Sequence, residues 1–173
     1  MMFMRPVKQG DRFVSLAVLL LIAFLDQLTK YVIERKLPLY GCVKAFGPVR
    51  LTHVRNQGAA FGLFHGSSLV LAASGLVFLG VLALLWVADL KNRGMRWGLV
   101  LLASGCTGNL IDRIVRGAVI DFVDLGFWPV FNVADVFIVV GLLLILCALF
   151  PDAGVVGQAV RVSQDKSESE KGC

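Results

Sequence analysis

The sequence predicts an all-α membrane protein of four transmembrane helices, with a small extracytoplasmic β-like platform between helices 1 and 2. Three observations carry this. Hydrophobic residues make up 57% of the 173 positions and charged residues only 17%, whereas soluble domains are about a quarter charged. Several apolar stretches approach the roughly 20 residues that cross a bilayer. Acidic, basic and amide residues gather near the ends of those stretches, where intramembrane polar groups carry function.

The elements follow in order. Arg5, Lys8 and Arg12 precede an apolar run, as in a signal peptide, but no small-x-small cleavage site follows. Asp26, Gln27 and Lys30 come instead, and Tyr31-Val32-Ile33 continues the run, so residues 13–33 read as an uncleaved first span. Asp26 and Lys30 stand four apart on one helix face, the spacing of an intrahelical ion pair; anchoring and a role in a site both fit. Residues 34–66 form the longest connection and hold Pro38, Gly41, Gly47 and Pro48. Val49 to Arg55 then alternates partly between apolar and polar, as a half-buried strand does. In Asn56-Gln57-Gly58-Ala59-Ala60-Phe61-Gly62 the small residues permit close backbone approach. Asn56 could bond a peptide backbone, or the segment is a turn with an entering helix.

The second span, 68–88, carries no charge, and a short basic turn over 89–96 leads to the third, 97–114. There Gly105 and Gly108 allow a neighbouring helix to come close. Asn109 and Arg113 share a face; Arg113 could hold an anionic lipid head or position an acid, or Asp112 and Arg113 could form a polar cluster tying helices together. The fourth span, 131–150, has Asp135 near its start. Residues 1–151 read as one domain and 152–173 as a polar, disordered tail. An even number of spans puts both termini on one side, and the positive-inside rule favours the cytoplasm.

The net charge of +5 reflects loops and termini beside anionic lipid. No basic stripe carries interleaved aromatics, so nucleic acid is not an expected partner. Cys42, Cys106, Cys147 and Cys173 form no CxxC pair, and neither a disulfide framework nor a metal site is implied. No metal and no cofactor are expected. No internal repeat suggests an inverted-repeat transporter.

Asp121 and Asp135 lie where apolar runs meet one short loop, so a hairpin of spans three and four puts both at one membrane edge. Close carboxylates in low dielectric cannot both ionise easily and come to share a proton. The other reading is two unrelated interfacial acids, one of them a helix N-terminal charge. Asp124 reads as a solvated loop acid. Asn132 stands three before Asp135 and could orient a carboxylate or cap span four. Phe127 and Trp128 fit an interfacial aromatic belt.

Five segments in order, over residues 13–150, resemble the lipoprotein signal peptidase family (signal peptidase II): Asp26-Gln27-Leu28-Thr29-Lys30, Asn56-x-Gly58-Ala59-Ala60-Phe61, Gly108-Asn109-x-x-Asp112-Arg113, Val119-Ile120-Asp121-Phe122 and Phe131-Asn132-Val133-Ala134-Asp135. The resemblance implies an aspartyl endopeptidase with Asp121 and Asp135 catalytic. It implies a prolipoprotein substrate cut just before a cysteine that already carries diacylglycerol. Asn56, Asn109, Arg113 and Asn132 would line or support the site; Asp26 and Lys30 match the family's span-one pair; Gly58, Ala59, Gly108, Asp112 and Ala134 complete the matched segments. Ser104 departs from the pattern where a glycine is expected before Gly105. The implied setting is the bacterial inner membrane, multi-pass, with cytoplasmic termini, the site towards the outer face, membrane lipid as a partner and a monomeric chain. A small proton-coupled carrier using the same acids as a relay is the alternative.

Overall fold

The computed structural model describes residues 9–57, 75–76, 78–80, 82–83 and 92–150. Helix α1 (Gln9–Lys36) is 28 residues long, about 42 Å at 1.5 Å per residue. Asp11 in its first turn and Arg35 and Lys36 in its last complement the helix dipole. Its outer face is apolar: Phe13, Leu20, Leu21 and Phe24 are exposed. Its inner face carries Ser15, Asp26 and Lys30, all buried. Polar inside and apolar outside is the arrangement that suits a lipid solvent.

Helix α2 (Arg93–Arg116) starts at Asn92, whose side chain accepts from the Met95 amide, and ends at Gly117, with φ +71°, a left-handed conformation that glycine adopts without strain. Helix α3 (Val133–Leu149) starts with a capping box: the Asn132 side chain accepts from the Asp135 amide, and the Asp135 carboxylate accepts from the Asn132 amide. The backbones of α2 and α3 touch through glycines. A Cβ on Gly98 would lie 2.7 Å from Ile145 Cγ1, and one on Gly105 would collide with the Ala134 carbonyl. A Cβ on Gly108 would lie 2.5 Å from Asp26 Oδ2, so α1 is equally close on the other side.

Strands β1 (Cys42–Phe46), β2 (Val49–Asn56) and β3 (Val119–Asp124) form one antiparallel sheet in the order β1-β2-β3. Val54 of β2 stands opposite Asp121 of β3. Ile33, Ile120 and Phe122, joined by Leu37, Leu51, Val123 and Val133, fix the sheet to the top of α1 and the start of α3.

The platform predicted over residues 34–66 is present as β1 and β2, but its third strand comes from after α2. Val119, Ile120, Asp121 and Phe122 are all buried, so β3 lacks the alternation that marks a half-exposed strand. The helices also differ from the predicted spans at their ends. Residues 9–36 and 93–116 are helical where 13–33 and 97–114 are apolar, because charged first and last turns continue each helix beyond its apolar run. Helix α3 begins later than 131, because Phe131 is held in an isolated bridge to Val123. Helices α1 and α2 are long and apolar enough to cross a membrane; α3 is apolar and shorter. Most of the expected span 68–88, the motif residues Gly58 and Ala59 and the expected tail lie outside the described residues. Phe127 and Trp128 are exposed, as a belt residue should be.

Gly105→Ala is expected to lower the melting temperature of the detergent-solubilised protein, because overpacking a tight contact costs about 1–3 kcal/mol. Gly80→Ala, where a Cβ meets nothing within 4 Å among the described residues, should leave it unchanged in a parallel thermal melt.

Candidate active site

The site is built outward from a buried ammonium. Lys30 Nζ lies 2.8 Å from Asp26 Oδ2 and 2.8 Å from Asp112 Oδ2, with all three side chains fully buried. It donates its remaining hydrogen bond to Asn109 Oδ1 at 2.9 Å. A lysine ammonium has three donors and no acceptor, so its capacity is filled. Each carboxylate has further duties. Asp26 Oδ1 accepts from the Ala134 amide at 2.9 Å, fixing the start of α3. Asp112 Oδ2 accepts from the Ile120 amide at 3.2 Å, fixing β3, and Asp112 Oδ1 accepts from Arg116 at 2.7 Å and Gln27 at 3.0 Å.

Two amides carry this order to the acids. Asn109 Oδ1 also receives Asn132 Nδ2 at 3.2 Å. With its oxygen committed to donors, Asn109 turns its NH2 to Asp135 Oδ1, at 2.8 Å. Asn132 Oδ1 accepts from the Asp135 amide at 3.0 Å, and Asn132 Nδ2 donates to Asp121 Oδ1 at 2.7 Å. The second oxygen of Asp121 accepts from Asn56 Nδ2 at 2.9 Å. Asn132 therefore touches both acids. Burial pushes the Asp121 carboxyl up to about 6. The Asn56 amide donor pulls it down, the nearby Asp135 charge pushes it up, and the Asn132 donor pulls it down again.

The acids open onto different cavities. Asp121 lines one of about 590 Å³, walled by the platform residues Leu39, Tyr40, Val54 and Arg55 and by Pro129 and Val130. Asp135 lines one of about 410 Å³ between the helices, with Phe78, Cys106, Arg113 and Ile138.

Comparison with known proteins bears on what such a site does. Residues 18–151 match the sequence profile of signal peptidase II. The chain belongs to the signal peptidase II family. Curated relatives named lipoprotein signal peptidase include one from Syntrophomonas wolfei, 40% identical over 77% of this chain and 90% of its own. Another, from Moorella thermoacetica, is 38% identical over 83% of this chain and 97% of its own. Two solved structures, described as bacterial membrane enzymes determined by the in meso method at 2.3 and 1.9 Å, superpose with TM-scores of 0.77 and 0.78 at 29% identity. They cover 87% and 88% of this chain and 94% and 100% of theirs. Membership of signal peptidase II makes the chain a peptidase, a hydrolase of membrane character, in place of the alternative carrier.

Most of the motif residues meet in one network. Asp26, Lys30, Asn109, Asp112 and Asn132 form the buried centre, with Gly108 and Ala134 as close-packed backbone beside Asp26. At two of them the alternatives are not exclusive. Asp26 and Lys30 do pair, and Asp112 joins them. Asn132 is both the helix cap and a carboxylate partner. Two expectations need correction. A polar cluster of Asp112 and Arg113 that ties helices together holds for Asp112 alone: it bonds Lys30 and Gln27 of α1 and Arg116, one turn on, while consecutive helical residues point apart. Arg113 instead donates to the Asn109 carbonyl at 3.2 Å, and its buried Nε has no partner among the described residues. Asp124 is not merely solvated: it pairs with Arg50 at 2.8 Å and accepts from the Gly126 amide, and the Arg50 hydrogen bond holds its carboxyl below the usual range. Gln27, Glu34 and Arg116 were missed as supports. Gln27 does stand inside the matched segment 26–30, and for Arg116 the signal is its four-residue spacing from Asp112; Arg116 also binds Glu34 at 2.8 Å.

Asn56→Ala removes a donor that favours the charged form of Asp121. The Asp121 carboxyl should then hold its proton to higher pH, and the alkaline limb of the pH–rate profile of cleavage should move up. Lys30→Met leaves two buried carboxylates without their cation, a loss of about 3–5 kcal/mol. A thermal melt should show a markedly less stable protein, alongside lost cleavage.

Proposed function

We propose that this protein is an aspartyl endopeptidase that removes the signal peptide from diacylglyceryl-modified prolipoproteins, cutting just before the lipidated cysteine. The observation that carries this reading is that one side chain, Asn132, binds Asp121 of the sheet and caps the helix turn that holds Asp135. Two carboxylates fixed in this way, one of them raised to about 6 by burial, suit shared-proton chemistry near neutral pH.

The ionised member takes a proton from a water held between the pair, and the water oxygen attacks the scissile carbonyl carbon. The protonated member polarises the carbonyl oxygen. As the C–N bond breaks, a carboxylic acid gives its proton to the leaving amine. The starting proton belongs to the pair rather than to one acid. The platform cavity takes the peptide from above, and the cavity between helices takes the apolar, lipid-bearing side. The enzyme works as a monomer in the bacterial inner membrane, with four spans, cytoplasmic termini and the site at the outer face.

Asp121→Asn and Asp135→Asn should each lower cleavage of a diacylglyceryl-modified precursor by at least about 100-fold, in line with loss of general acid–base catalysis, while the protein still inserts. Asp124→Asn should keep most activity. A gel-shift assay on the lipidated precursor reads all three, and efficient cleavage by either of the first two would sink the mechanism.

A further inference from the structure

The platform cavity has a charge that hydrolysis leaves unused. Arg55 of β2 lines it together with Asp121. In register Arg55 stands opposite Ile120 and Val54 opposite Asp121, so the two side chains leave opposite faces of the sheet and Arg55 bounds the cavity from the α1 side, where Glu34 lies. The cations around Arg55 differ in how they are matched. Arg50 has Asp124 at 2.8 Å. Arg116, only 16% exposed, holds Glu34 Oε2 at 2.8 Å and Asp112 at 2.7 Å. Arg55 shares that same Glu34 through its other oxygen, at 3.5 Å, with 48% of its side chain exposed. Glu34 is thus committed to the better-buried guanidinium, and Arg55 is left with the longer contact and open fork donors. Asp121 does not compensate it, because its oxygens take the amides of Asn56 and Asn132.

We propose that Arg55 is a specificity-determining residue that favours precursors with a carboxylate side chain in the first three residues after the cleavage point. The inference rests on the peptidase reading. Of the two cavities, the one between helices sets apolar Phe78, Leu110 and Ile138 beside Asn109, Arg113 and Asp135, and its apolar wall suits the hydrocarbon side of the substrate. The polar chain that follows the cut then leaves over the platform, past Asp121 and Arg55. A planar guanidinium with free donors matches a carboxylate in charge and in fork geometry.

The test uses the full chain and diacylglyceryl-modified precursors that differ only by Asp, Asn or Lys at each of those three positions, with kcat/KM read for each. The expected ranking at one position or more is Asp over Asn by about threefold, the size of a half-exposed ion pair, with Lys below Asn and the spread shrinking as salt rises. Arg55→Gln should flatten the ranking and Arg55→Glu should invert it. Lys44→Gln, on β1 and away from the cavity, should preserve it. A flat ranking in the unsubstituted protein, an unchanged ranking in Arg55→Gln, or equal flattening by Lys44→Gln overturns the inference while the peptidase reading stands. Failure of the unsubstituted protein to cut any lipidated precursor overturns the peptidase reading and this inference with it.

Discussion

An ammonium with no access to water must find all its acceptors inside the protein, and that requirement organises this molecule. Lys30 is fully buried and takes its three acceptors from α1 and α2: Asp26, Asp112 and Asn109. Burying such a group without partners is prohibitive in a low dielectric. The helices must therefore close to within hydrogen-bond distance around it, and the glycines make that possible. Asp26 and Asp112 each have an oxygen bond to a backbone amide beyond their own helix, Ala134 and Ile120. One cation thus sets the relative positions of three helices' worth of chain and of a strand, and the two acids sit on the parts so fixed.

The amides translate that order into direction. A carboxylate accepts from any side, so charge alone would leave Asp121 and Asp135 free to turn. Asn109 and Asn132 do not have that freedom, because an amide's oxygen only accepts and its nitrogen only donates. Each has its oxygen taken by a donor, which determines where the nitrogen points. Orientation is thereby passed from a buried ion pair to the candidate catalytic groups without any charge touching them directly.

Much of this was legible in the sequence where the contacts are local. Asp26 with Lys30 and Asn132 with Asp135 follow from helical spacing, and the apolar runs locate α1, α2 and α3. The sheet was half visible, since β1 and β2 sit around a Gly47-Pro48 turn, whereas β3 is buried on both faces and reads as the edge of a span. What escaped depends on contacts far apart in the chain. Nothing near Lys30 announces that Asp112 completes its shell, and nothing near Asp124 announces Arg50. A polar cluster of Asp112 and Arg113 is one of the readings that adjacency leaves open; in a helix adjacency separates side chains, and Asp112 pairs with Arg116 instead. Most residues of the five ordered motifs meet in one network, but the motifs do not say which of them bear directly on the acids and which act at one remove.

The capping box at the start of α3 has a consequence for biogenesis. Asn132 winds the first turn of that helix with the same atoms that tie it to Asp121. Before that turn is wound, the two carboxylates have no defined relation to one another. A chain whose α3 has not yet wound therefore carries both acids but lacks the device that fixes one against the other. The arrangement of the two acids is thus a property of the completed fold, set in the same step as the start of α3.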